Sequence, residues 1–167
     1  TNNTFVTVDK LEDLQGLPQS DIDRAAAMAA AQGQTGKWMF NMQRASCNPV
    51  LQYCSNRELR RKIYQAYCNR GNQGNDYDSK EICAKLVKLR LERAKLMGFK
   101  NCASQILDTR MAKTPEAVYA LLDQVWTPAV AKAKEELEDI RTEMKKDGLD
   151  CEPEGWDYRY YLERARK

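Results

Sequence analysis

Short strand-like runs occupy the front of the chain and helical stripes occupy the rest. Thr4–Val8 (TFVTV) is β-branched and Lys37–Gln43 (KWMFNMQ) is a second strand-like stretch, so the two are expected to pair as a small ribbon. Between them Pro18, Ser20 and Asp23 lead into DRAAAMAAAQG, an alanine-rich helix stopped by Gly33. From Asn48 onward helix follows helix. Ser55, Asn56, Arg57 and Glu58 have the spacing of a capping box, opening a helix with Leu59, Ile63, Ala66 and Tyr67 on one face. Gly71–Gly74 breaks it, and Asp78–Glu81 offers a second box before ICAKLVKLRLERAKLMG, whose stop is Gly98. Asn101 is expected to cap a short helix through Met111. Thr114, Pro115 and Glu116 then supply a hydroxyl cap, a first-turn proline and a carboxylate at the positive helix end. Trp126, Val130, Ala133, Leu137, Ile140 and Met144 recur at alternating helical spacings, a long seam for another helix, with Pro128 kinking or resetting it near its start. It is expected to end around Asp147 and Gly148.

The last stretch, EGWDYRYYLERARK, puts Asp157 where an N-cap belongs and Tyr160, Tyr161 and Arg164 on one helical face, with Trp156 as a staple. Such a stripe is expected to pack on something later in the chain, which makes these 167 residues a piece of a larger protein. Thr1, Asn2 and Asn3 likewise read as the interior of a longer chain, so the lack of a visible signal peptide carries no weight. The expected fold class is mainly α: a multi-helical fragment with a minor two-stranded β ribbon near the N-terminus. Residues 1–167 are taken as a single region, a partial domain, without a solenoid repeat or low-complexity linker.

Composition adds exclusions. Hydrophobic residues make up 43% and charged residues 31%, a globular balance. No apolar run approaches the roughly 20 residues of a bilayer span. The net charge of +3 comes from acids and bases interleaved along helices, a solvated surface in preference to a nucleic-acid patch. Neither nucleic acid nor membrane is expected as a partner. Six cysteines contain no C-x-x-C pair, and four or more are expected to behave as small buried hydrophobes. Thiols of that kind favour a reducing cytoplasm, with periplasm or cell envelope the alternative. Histidine is absent altogether, which removes the commonest general base, metal ligand and partner of a nucleophile.

Several local patterns dissolve on inspection. Asp76 and Asp78 suggest a calcium loop, but Glu81 stands where the sharp turn demands glycine. Gly71–Gly74 follows a helix and lacks a P-loop lysine, so it is a connection. Arg57, Arg60 and Arg61 crowd a helix start against the dipole's preference, which points either to neighbouring acids or to a solvated surface. Glu135–Lys146 interleaves acids and bases at helical pair spacings, with Glu138 set to meet Arg141. For Trp156, Tyr160 and Tyr161 two readings stand: wall of a peptide channel, or core packing beneath a helix capped by Asp157. No catalytic and no metal-ligating residue is assigned.

With these segments in order, the chain resembles the thimet-oligopeptidase-like family of zinc metallopeptidases. Leu59–Val118 is similar to that family's series of Arg-rich helix, Gly/Asn loop, basic helix, glycine-phenylalanine turn and MAKTPE-type cap. Trp156–Tyr161 (WDYRYY) resembles its Trp-Asp and Tyr-Tyr element, and Leu14–Gln43 is most similar to the bacterial peptidyl-dipeptidase branch (Dcp). Cys102 departs from the pattern, standing where relatives commonly place tyrosine, a local packing change. The resemblance implies a helical, two-lobed peptidase whose zinc is held by H-E-x-x-H and a later glutamate, beyond Lys167. It further implies a parent that releases C-terminal dipeptides from short peptides, with the rest of that parent as this chain's partner. Zinc would belong to the parent, and this chain, without histidine, is expected to bind none and to be inactive alone. A free-standing helical interaction module without enzymatic activity is the alternative.

Overall fold

The structure, a computed structural model, describes residues 4–166; the reading of Thr1–Asn3 given above, like Lys167, lies outside the described residues. The chain divides into two compact units, one comprising the chain up to Gln73 together with that from Glu136, the other Gly74–Glu135.

The first unit starts with the expected ribbon. β1 (Phe5–Val8) runs antiparallel to β2 (Trp38–Asn41), with Phe5 opposite Asn41 and Val8 opposite Trp38. A 3-10 turn (Leu11–Leu14) leads to α1 (Gln19–Ala31), which packs on β2. Its inward residues Ala25 and Ala29 are buried, and their size lets helix and strand approach closely. Gly33, at φ 72°, ends it as expected: its amide bonds to Ala30 O, and that of Gln34 reaches Ala29 O at 2.9 Å.

α2 (Arg44–Tyr53) begins four residues earlier than the sequence suggested, because Pro49 in its interior disguises it. Proline has no amide to offer Ala45 O. Arg24 of α1 supplies that donor instead, Nη1 to O at 3.0 Å, so the helix continues through the proline. α3 (Arg57–Cys68) corrects the first capping box. Its cap is Asn56, whose Oδ1 accepts from Leu59 N at 3.0 Å and whose Nδ2 donates to Asp13 at 2.8 Å. Ser55 donates its hydroxyl to Gln15 O, and Glu58 takes a two-point contact from Arg61, so neither is left for the box. Leu14, Phe40, Met42, Cys47, Val50, Leu59 and Ile63 form the core these elements share.

α6 (Pro115–Lys146) passes from the second unit into the first. Within the first, Ile140 and Met144 pack on Tyr161 of α7 (Tyr158–Ala165). Two expectations need correction here. The aromatic face of α7 is covered by elements that precede it, since α7 also packs on α2, with Gln52 donating to Glu163 and Arg159 to Asn48, both at 2.9 Å. The seam is buried only at its end: Ile140 and Met144 are enclosed, Leu137 and Val130 half-buried, and Trp126 is 69% exposed.

In the second unit the Asp78 carboxylate closes the turn, accepting from Gly74 N at 2.8 Å and from Lys80 N at 3.0 Å. Its bonds, first of all to the Lys80 ammonium, hold its pKa down at about 2. α4 (Lys80–Leu96) ends at Gly98, φ 82°, with Phe99 N bonding back to Ala94 O. α5 (Cys102–Leu107) is capped by Asn101, Oδ1 accepting from Ser104 N at 2.9 Å. It stops well short of Met111, because Arg110 N turns back onto Leu107 O and Lys113 takes a left-handed φ of 61°. Thr114 Oγ1 accepts from Ala117 N at 3.2 Å, the expected start of α6. Pro128 neither ends nor resets that helix: residue 124, whose carbonyl loses its donor, is exposed and open to water.

Candidate functional site

The sharpest chemistry in the first unit lies where the start of α3 meets residues 154–157. Arg60 follows Leu59 on α3, so the turn that buries Leu59 and Ile63 carries the guanidinium inward; the residue is 0% exposed. It spends nearly all its donors there. Nη1 donates to Cys54 O at 2.9 Å and Ser55 O at 3.1 Å, Nε to Trp156 O at 3.1 Å, and Nη2 to Asp157 Oδ1 at 3.2 Å. Arg57, one helical turn earlier, grips the same carboxylate at two points, Nε to Oδ1 at 2.9 Å and Nη2 to Oδ2 at 2.7 Å.

Asp157 is also 0% exposed, and Glu154 N donates to its Oδ2 at 3.1 Å. Burial pushes this carboxyl up, but Arg57, the Glu154 amide and Arg60 together outweigh it, so its pKa lies below the usual range. The side chain therefore does not cap α7; Asp157 holds the cap position in a helical conformation while its oxygens face the arginines. Of the two readings of the arginine cluster, neighbouring acids is the correct one for Arg57 and Arg60, and for Arg61 with Glu58. Both oxygens of Asp157 are engaged by charged donors or a backbone amide, so the group is a clamp and a poor proton acceptor.

The aromatic residues surround this clamp. Trp156 is half-buried, edge-on to Tyr64 with ring centroids 6.1 Å apart, and the Arg57 guanidinium lies 5.9 Å from its ring. Tyr160, half-buried, lies under Arg60 at 4.1 Å and within 5.6 Å of Arg164. Tyr161, 2% exposed, meets Tyr160 edge-on at 4.9 Å and donates its hydroxyl to Asp147 at 3.1 Å. Burial, then Asp147, raises the Tyr161 pKa to about 12. Asp147 itself is lowered, chiefly by Arg164. The sequence placed Trp156, Tyr160 and Tyr161 near one another. It singled out Arg60 only as part of a basic cluster and missed that its guanidinium lies over Tyr160 and Tyr161, for which the signal was an arginine abutting the apolar stripe of α3.

Two of the six cysteines lie in the core. Cys47 and Cys54 are buried, and burial pushes the Cys47 thiol up to about 11, so both behave as small apolar groups. The other four are half-buried or exposed, fewer buried thiols than the sequence suggested. Zinc of the kind a peptidase uses does not fit: the chain has no histidine, and the described residues gather no group of three or more His, Cys, Asp or Glu side chains able to hold a metal.

Fold and site thus define a mainly helical chain with a two-stranded ribbon, whose first unit is organised around a buried arginine–carboxylate clamp. The chain belongs to peptidase family M3, whose pattern matches residues 50–167. It is 34% identical to a probable cytosolic oligopeptidase A of Arabidopsis thaliana, over 93% of this chain and 23% of that protein. Oligopeptidase A of Escherichia coli is 32% identical over 98% of this chain and 24% of its own length. The E. coli dipeptidyl carboxypeptidase is 29% identical over 97% and 24%. The chain therefore spans about a quarter of the length of the relatives it matches. No described helix is long and apolar enough to cross a membrane.

Proposed function

We propose that this chain is a non-catalytic scaffold segment of a cytoplasmic, zinc-dependent peptidase that acts on short peptides and releases dipeptides from their C-termini. The observation that carries the proposal is a match along nearly the whole chain to about a quarter of each peptidase relative. The chain has no histidine and so cannot itself supply the two imidazole ligands of an H-E-x-x-H zinc site, which supports a parent that carries them elsewhere. Relatives named for oligopeptidase and for dipeptidyl carboxypeptidase activity both align, so the cleavage pattern must be read directly.

Within that parent, Trp156, Tyr160 and Tyr161 form part of a peptide-channel wall. Tyr160 and Trp156 are each half-buried, and the buried Tyr161 packs edge-on against Tyr160. The clamp of Arg57, Arg60 and Asp157 fixes where the Tyr160 ring stands. An extended peptide offers backbone amides and apolar side chains, and a phenol ring held by two guanidiniums can take both.

The test is an assay of the purified chain with quenched fluorescent peptides, with and without zinc, alongside the chain co-expressed with the remaining coding sequence of its gene. Hydrolysis is expected only from the combination, abolished by a chelator, with C-terminal dipeptides identified by mass spectrometry. Zinc-dependent hydrolysis by the chain alone overturns the scaffold role, and internal cleavage by the combination overturns the dipeptidase assignment.

A further inference from the structure

The two units treat their apolar residues in opposite ways. Nearly every fully buried apolar side chain belongs to the first unit; in the second, among the described residues, Ala94 alone reaches that state. The large apolar residues left exposed show the reverse, all but Phe5 and Leu11 lying in Gly74–Glu135. Some of them share a face, while Val87 and Leu91 on α4 and Leu121 and Val125 on α6 are exposed elsewhere on those helices. On α4, Ile82, Leu86 and Leu89 follow one face at helical spacing, and on the first half of α6, Tyr119, Leu122 and Trp126 do the same. Monomeric proteins seldom leave contiguous apolar stripes of this extent open, because such surface marks a binding face.

The helical positions beside the α4 stripe are mostly basic: Lys85 and Arg90 flank it and Arg93 continues it, against Glu92. A second copy of α4 would bring like charges together, which disfavours self-pairing through this helix. The peptidase relatives carry about three further quarters of chain beyond the part this one matches.

We infer that Gly74–Glu135 is a docking unit, and that the exposed stripes of α4 and the first half of α6 are covered by the remaining part of the parent peptidase, through an apolar surface rimmed by carboxylates. This rests on the proposal that the chain is a segment of such a peptidase. The inference goes further by assigning the contact to one unit and to named faces.

The experiment uses the whole 167-residue chain and three variants: Leu86→Lys, Leu122→Lys and, for comparison, the first-unit surface change Leu11→Lys. Each is examined alone by light scattering and dye fluorescence, then by co-purification and peptidase assay with the separately expressed remainder of the gene product. The wild-type chain is expected to be a monomer that binds the dye. Leu86→Lys and Leu122→Lys should each halve the dye signal or more and weaken capture of the remainder at least tenfold, with far-ultraviolet circular dichroism unchanged. Leu11→Lys should leave capture unchanged. A dimer that silences the dye, with Leu86→Lys restoring the monomer, shows a second copy on this face and overturns the inference. So does reconstituted peptidase activity that survives both second-unit variants, although the segment proposal then stands. If the wild-type chain captures no remainder and restores no activity, the segment proposal itself falls, and the inference with it.

Discussion

Among the described residues, Arg60 and Asp157 are the two charged residues enclosed in the first unit, and each is tolerable there only because of the other and of Arg57. Removing the carboxylate's charge leaves two guanidiniums facing a neutral amide, one of them wholly buried. Asp157→Asn is therefore expected to cost about 3–5 kcal/mol, read as a lower urea midpoint. The pH dependence has a definite sign. The folded-state pKa of Asp157 is depressed, so the clamp's contribution is complete above the unfolded value near 4 and is lost as pH falls toward and through the folded value. Asp147, lowered by Arg164, acts in the same sense. Wild-type stability should fall on acidification from about pH 4, and Asp157→Asn should flatten that limb in a urea titration repeated across pH. An acid limb unchanged by the substitution would remove Asp157 as its source.

At the scale of elements, glycines of similar conformation carry unequal burdens. Gly33 and Gly16 both have positive φ, 72° and 93°. A Cβ on Gly33 would meet nothing, whereas on Gly16 it would strike the Tyr53 carbonyl, beside the amide of Ser55 that bonds to Gln15 O. Gly33→Ala should then cost about 1–2 kcal/mol for its left-handed backbone, and Gly16→Ala should cost more, since backbone cannot step aside as a side chain can. Thermal melts of the two variants give the comparison. The same distinction separates what the sequence disclosed from what it hid. Gly33 and Gly98 stop their helices through local bonds, and the β ribbon follows from two short runs, so all were legible. α2 was obscured because the donor replacing the missing Pro49 amide comes from Arg24, on another helix. The capping box at Ser55 failed for a similar reason, its serine being taken by Gln15. The clamp was half visible: an arginine cluster asked for acids, but nothing local could name Asp157, a hundred residues away.

At the scale of the whole molecule, the uneven distribution of core predicts uneven protection. The amides of α2 and α3 are backed by a shared core, while those of α4 and the first half of α6 lie under side chains that bury almost nothing. Hydrogen exchange of the isolated chain should show slow exchange in α2 and α3 and exchange faster by at least tenfold across α4. Uniform protection of both units would contradict that uneven burial as the determinant. Exposure of a large apolar side chain forfeits roughly 1.5–3 kcal/mol, so a few such residues match the entire margin of an ordinary domain.

The span of the clamp also sets a clock. Arg57 and Asp157 are a hundred residues apart, and a ribosome adding about 5–20 residues per second needs roughly 5–20 s to pass from one to the other. Through that interval the nascent chain holds its first core elements with Arg57 and Arg60 still awaiting their carboxylate. Completion of the first unit is thus deferred, by the order of synthesis, until the entire second unit has emerged.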